Sequence, residues 1–143
     1  MKLLNNWWVT TVKLTDYIIV IPARFDSKRL SGKALVDISG KTLIERVFLA
    51  ASRSQASEII IATDSEKIKK VTQNLNAKTV ITRANHNSGT DRIAEVAEIE
   101  NWKEDQIIVN LQGDCPLMPP ENIDQVANLL FKNPDAGIAT LAT

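Results

Sequence analysis

The sequence predicts an α/β fold, with a mostly parallel sheet and helices on both of its faces. Three observations carry that reading. Short runs of β-preferring residues recur along the chain, and stretches with apolar residues at helical spacing separate them. The polar loops with suggestive chemistry all follow strands, at the carboxyl edge where open parallel sheets hold their ligands.

The first strand is expected over Ile18 to Ile21. Pro22, which has no amide hydrogen to donate, is expected to stop its ladder. The loop that follows holds Arg24, Lys28, Arg29 and Lys33, with Gly32 directly before the last cation. Exposed amides and cations can face a polyphosphate there. A solvated surface loop that is merely basic accounts for the stretch equally well.

Ala34 to Ile38 is short and partly β-like, and Ser39-Gly40 reads as a turn. A helix is expected from about Thr42, with Leu43, Ile44, Val47 and Ala50 or Ala51 inward. Glu58 to Ala62 is the second strand. Asp64 and Ser65 suit the cap of a helix whose Ile68, Val71 and Leu75 share a face. Lys78 to Thr82 is the third strand, and the polar loop after it leads to Thr90 as the cap of a helix carrying Ile93, Ala94 and Ala97, with Val96 a further candidate for that face. Gln106 to Leu111 is the fourth strand. Pro119-Pro120 opens a helix with Ile123, Val126, Ala127 and Leu130 inward. Gly137 to Leu141 reads as a fifth strand. Residues 1–16 show no clear period and are set apart as a leader with no assigned role; residues 17–143 form the domain.

Composition excludes several classes. Apolar residues make up 44% and charged residues 24%, as in ordinary globular domains. Seventeen basic and seventeen acidic residues cancel, so no nucleic-acid or membrane partner is indicated through net charge. The single cysteine, Cys115, excludes an intrachain disulfide and suits a reducing compartment; a cytoplasmic location is expected.

Familiar nucleotide motifs fail. A Walker A loop would need glycine at Ser27 and a hydroxyl residue at Ala34, and no Gly-x-Gly-x-x-Gly follows any strand. Gln112-Gly113-Asp114 follows a strong apolar strand, where the aspartate either reaches a ligand-bound Mg²⁺ or makes a turn hydrogen bond. Asn87 to Arg92 joins a helix N-terminus to hydroxyls and an arginine, fit for a nucleoside or carboxylate, or for plain capping. His86, the only histidine, has no Ser or Cys constellation to serve, and Cys115 has no partner cysteines for a metal.

Taken together, these pieces resemble one family. Ile-Pro-Ala-Arg-x-x-Ser-x-Arg-Leu-x-Gly-Lys (Ile21 to Lys33), Ala-Thr-Asp (Ala62 to Asp64), Ser-Gly-Thr-Asp-Arg (Ser88 to Arg92), Val-Asn-Leu-Gln-Gly-Asp (Val109 to Asp114) and Ala-Thr-Leu-Ala (Ala139 to Ala142) recur in order and spacing. The set resembles the 3-deoxy-manno-octulosonate (KDO) cytidylyltransferases, the CMP-KDO synthetases of lipopolysaccharide synthesis. The resemblance implies a Rossmann-like nucleotidyltransferase fold and the reaction CTP plus KDO giving CMP-KDO plus pyrophosphate. It implies that Arg24 and Lys33 hold the triphosphate, with Arg29 assisting, and that Asp114 binds Mg²⁺. Pro22, Ala23, Ser88, Gly89 and Gln112 would line the cytidine and sugar site, with Arg92 near the base or the sugar acid.

Three departures stand out. Ser31 replaces the family's usual proline, and Cys115 replaces its usual glutamate. Gly-Asp-Cys-Pro-Leu (Gly113 to Leu117) instead resembles the spore-coat polysaccharide cytidylyltransferases, which keeps another sugar substrate as an alternative. The family is also longer, so the C-terminal part is expected to be missing. In the family that part supplies a second metal-binding aspartate, most of the KDO pocket and much of the homodimer surface. An inactive CTP-binding fragment is the corresponding alternative.

Overall fold

The computed structural model describes residues 16–26 and 31–141. The expected leader (apart from Asp16) and Arg29 lie outside the described residues. In chain order the elements are β1 (Tyr17–Ala23), a 3-10 turn (Lys33–Leu35), β2 (Asp37–Ile38), β3 (Lys41–Thr42), α1 (Leu43–Ala51), β4 (Glu58–Thr63), α2 (Glu66–Gln73), β5 (Lys78–Ile81), α3 (Gly89–Ile99), β6 (Ile107–Asn110) and α4 (Pro120–Lys132).

Four strands form one sheet in the order β5-β4-β1-β6, and every pair in it is parallel. β1 is central. Its side chains alternate between two cores, as the two-residue period of a strand requires. Tyr17, Ile19, Ile21 and Ala23 pack with Leu43, Ile44, Val47 and Ala51 of α1, Ile68 of α2, and Ile123 and Ala127 of α4. Ile18 and Val20 pack on the opposite face with Ile60, Ala62, and Ile93 and Val96 of α3. Each such isoleucine contributes about 1.5–3 kcal/mol by leaving water. Helices on both faces of a parallel sheet match the expected class.

Caps explain where the helices start. Thr42 and Glu45 form a reciprocal capping box at α1, and Ser65 caps α2 through Ile68 N–H. The Ser39-Gly40 turn closes a two-residue hairpin between β2 and β3, with both residues at positive φ. Among the described residues, no helix is long and apolar enough to cross a membrane.

Several expectations are corrected. Pro22 does not stop β1; it lies within the strand in register with Ala62. The carbonyl of Val20 accepts from Leu111 N–H, so residue 22, two further on, faces the same β6 side beyond the last β6 pair. Its missing N–H therefore breaks no ladder bond. Thr90 is not a cap: Ser88 is, accepting from Asp91 N–H while Asp91 accepts from Ser88 N–H, so α3 starts earlier. Asp64 does not cap α2, because its carboxylate is engaged elsewhere. Ala94 is exposed, and Arg92 takes the buried place beside Ile93 and Val96.

Gly137 to Leu141 forms no strand. The segment lines one side of an apolar groove of about 620 Å³ against β6 and α4, with Ile138 87% exposed. It borders the groove largely exposed and outside the ladder, and apolar composition alone does not make a strand when the backbone joins no ladder.

Candidate functional site

From β1 the sheet grows to β4 and β5 on one side and to β6 on the other, so the order reverses between β1 and β6. A crevice opens at such a reversal, outside the carboxyl ends of the strands. Here it is a cleft of about 130 Å³ lined by Pro22, Arg24, His86, Asn87, Ser88, Gly89, Arg92 and Gln112. It is smaller than the apolar groove at α4, but its lining carries the charges and hydrogen-bonding groups that recognise a polar ligand.

Close backbone approach builds the cleft. A Cβ on Gly113 would stand 2.9 Å from the Pro22 carbonyl oxygen, and one on Gly89 would stand 3.1 Å from Pro22 Cγ. The ends of β1 and β6 and the start of α3 therefore meet only because two positions lack side chains. Gln112 donates from Nε2 to Asn110 Oδ1 at 3.0 Å, which orients its amide at the rim.

The cationic loop is pinned at Phe25. Its N–H donates to Asp64 Oδ1 at 3.0 Å, and its carbonyl accepts from Gly32 N–H at 2.8 Å. Gly32 has φ +72°, a conformation that suits glycine, and faces the Phe25 ring. Lys67 of α2 sits 5.0 Å from the centre of that ring. Arg24, next to this fixed point, is exposed on the cleft wall.

Lys33 and Asp114 meet across the ends of β1 and β6 at 2.7 Å. The Lys33 ammonium holds the Asp114 carboxyl below the usual carboxylate range, so it is ionised at neutral pH. Both side chains are roughly half exposed, at 43% and 52%, and a pair so open to water contributes at most about 1 kcal/mol. It can exchange partners cheaply. Burial pushes the neighbouring Cys115 thiol up, which keeps it protonated at neutral pH.

Arg92 is a strut. Its guanidinium donates to Asp64 Oδ2 at 3.0 Å, to the Arg83 carbonyl at 3.2 Å, and to the Thr82 hydroxyl. A second strut holds the loop before α3: Glu95 pairs with His86 and accepts from Arg83 N–H at 3.0 Å. The His86 contact, first among the causes, keeps the Glu95 carboxyl low.

Of the residues singled out in the sequence, the cleft gathers Pro22, Arg24, Ser88, Gly89, Arg92 and Gln112. Lys33 and Asp114 stand together beside it, and Ala23 is 4% exposed, packed into the core below. Sequence reasoning set His86 aside and read Asp64 as a cap and as part of the Ala-Thr-Asp motif, with no site role; Glu95 gave no signal, since its partners are revealed only when α3 packs against the loop. Among the described residues, no group of three or more His, Cys, Asp or Glu side chains could hold a metal. Asp114 alone fits the other mode, in which Mg²⁺ arrives on nucleotide phosphates and takes one or two carboxylates plus waters.

A parallel sheet with helices on both faces and a cation-lined crevice at its switch point is the frame of the nucleotide-binding α/β class. The chain belongs to the cytidylyltransferase family, whose model matches residues 18–143. It is 51% identical over 123 residues to the 3-deoxy-manno-octulosonate cytidylyltransferase of Francisella philomiragia, covering 86% of this chain and 49% of that protein. The enzyme of the same name from Hahella chejuensis is 48% identical over 128 residues, covering 90% of this chain and 50% of that one. Among solved structures, a CMP:2-keto-3-deoxy-manno-octonic acid synthetase complexed with CTP aligns with TM-score 0.77 and 37% identity, over 84% of this chain and 49% of that one. A cytidylyltransferase from Leptospira borgpetersenii aligns with TM-score 0.69 and 25% identity, over 82% and 50%. The chain thus spans about half the length of the curated relatives it matches.

Proposed function

We propose that the cleft at the β1–β6 switch point binds CTP, and that the protein transfers CMP from CTP to KDO, releasing pyrophosphate. The observation that carries this reading is the gathering of Pro22, Arg24, Ser88, Gly89 and Gln112 around one cleft, with Lys33 and Asp114 beside it.

In this reading the exposed Arg24 guanidinium and the Lys33 ammonium draw the triphosphate to the loop edge and offset its charge. Asp114, ionised through its contact with Lys33, is the carboxylate that would hold Mg²⁺. When bound, that ion would neutralise phosphate charge as pyrophosphate leaves. Gln112 and the Ser88-Gly89 backbone shape the wall for the base and sugar. The anomeric hydroxyl oxygen of KDO forms a bond to the α-phosphorus, the bond to the β-phosphate oxygen breaks, and the hydroxyl proton passes to solvent. Positioning and charge neutralisation supply the catalysis in such displacements.

A Mg²⁺-dependent assay of pyrophosphate release with CTP and KDO tests the reaction, and titration calorimetry with CTP, UTP, GTP and ATP tests the base preference. Release that requires both CTP and KDO is expected. Release with another sugar acid and none with KDO would overturn the substrate. A second reading, binding without turnover, is favoured by the Lys33–Asp114 pair, in which the carboxylate that would hold Mg²⁺ is already engaged at 2.7 Å. It expects a calorimetric signal with CTP and no pyrophosphate.

A further inference from the structure

The Ala-Thr-Asp segment at the end of β4 has no part in the reading above, yet Asp64 stands where three crevice loops meet. Its side chain is 12% exposed and that of Arg92 is 3% exposed. One carboxylate oxygen takes the Phe25 amide of the cationic loop, and the other takes the Arg92 guanidinium. Arg92 in turn holds the Thr82 hydroxyl and the Arg83 carbonyl at the end of β5. A single buried pair therefore joins the loop after β1, the end of β4, the loop after β5 and the first turn of α3.

We propose that Asp64 is a positioning residue for the cationic loop, acting through the Phe25 amide to hold Arg24 at the cleft wall. The geometry favours this over a purely structural pair. A buried ion pair stabilises little relative to apolar packing, because desolvation cancels much of its attraction. A bond from that pair to the backbone next to the exposed Arg24 does something packing cannot. It removes conformational freedom from Arg24, which reduces the entropy a triphosphate must immobilise on binding. The other contacts of Phe25 are the Gly32 bond to its carbonyl, Lys67 over its ring and packing of the ring on the core, so among the described residues its amide is the tether that reaches across to Arg92.

The proposal rests on the cleft being a nucleotide site, and the test separates the two. Asp64→Ala removes both bonds; Asp64→Asn keeps a carbonyl acceptor for Phe25 and should leave Phe25 exchange and the CTP affinity within about threefold of the unaltered chain, and a larger loss of CTP affinity with Phe25 exchange unchanged overturns the tether. Exchange of the Phe25 amide is followed by NMR in the full chain, and CTP and CMP are titrated calorimetrically. The Phe25 amide should exchange at least about tenfold faster in the alanine variant, while the Ile19 and Val20 amides lose far less protection. CTP should weaken by about tenfold or more and CMP by less than about threefold, since only the triphosphate needs the loop. A loss of folded fraction would weaken both ligands alike. Equal weakening of both, or unchanged Phe25 exchange, overturns the proposal. Failure of the unaltered chain to bind CTP overturns the nucleotide reading instead, and the Phe25 exchange still decides the tether.

Discussion

Lys33 and Asp114 illustrate how much of the site depends on single charges. They lie far apart in sequence and meet at 2.7 Å, half exposed. A pair in that setting adds little to stability, so its value lies in holding two opposite charges ready beside the cleft. Lys33→Ala should weaken CTP binding by roughly 1.5–3 kcal/mol, the worth of a hydrogen bond to a charged group. It should change unfolding free energy by no more than about 1 kcal/mol. Calorimetry with CTP and denaturant unfolding check the two arms separately. Cys115 gives no comparable handle, because burial keeps its thiol protonated beside the Asp114 carboxylate.

At the level of elements, α3 carries the most information about the site. Its cap Ser88 and first residue Gly89 line the cleft, Arg92 at the end of its first turn holds Asp64, and Glu95 in its second turn pairs with His86. The capping box of Ser88 and Asp91 decides where this register begins. Ser88→Ala removes the acceptor for Asp91 N–H and should cost about 1 kcal/mol, within the 0.5–2 range for such caps. For a domain near this size that lowers Tm by a few degrees, read by thermal melting. Asp91→Ala should reproduce part of the loss, since it breaks the reciprocal bond to Ser88 N–H.

For the whole molecule, acid stability follows from carboxylates that hold partners. Thr42 and Thr42 N–H keep Glu45 low, His86 keeps Glu95 low, and Lys33 keeps Asp114 low. A carboxyl whose pKa is lower in the folded state stabilises fully above its unfolded value, about 4. That stabilisation disappears as pH falls through the folded value. Stability should therefore fall as pH drops below about 4, with little of that fall owed to the half-exposed Asp114, and Glu95→Gln should flatten it while lowering stability at neutral pH. Denaturant midpoints measured from pH 7 down to 2 check both. On the alkaline side Lys78, raised mainly by its bond to Glu100, contributes until pH rises past the ordinary lysine range.

The order of the first four sheet strands and the helices between them was legible because it depends on local patterning: Ile18 to Ile21 and Glu58 to Ala62 read as strands from their β-branched runs, and Leu43, Ile44 and Val47 share one helix face. The cation-rich loop and the aspartate after β6 were legible as candidates for the same reason, since loop chemistry and strand ends lie next to each other in the chain. What the tertiary structure alone decided is which of these meet. Pro22 stays in its strand because β6 has already ended beside it, and Gly137 to Leu141 stays out of the sheet because its backbone pairs with no strand. Arg92, expected near the base or the sugar acid, lines the cleft, and its guanidinium is bonded to Asp64, Thr82 and Arg83. Burial of a charge is settled by partners distant in sequence, and no local pattern contains them.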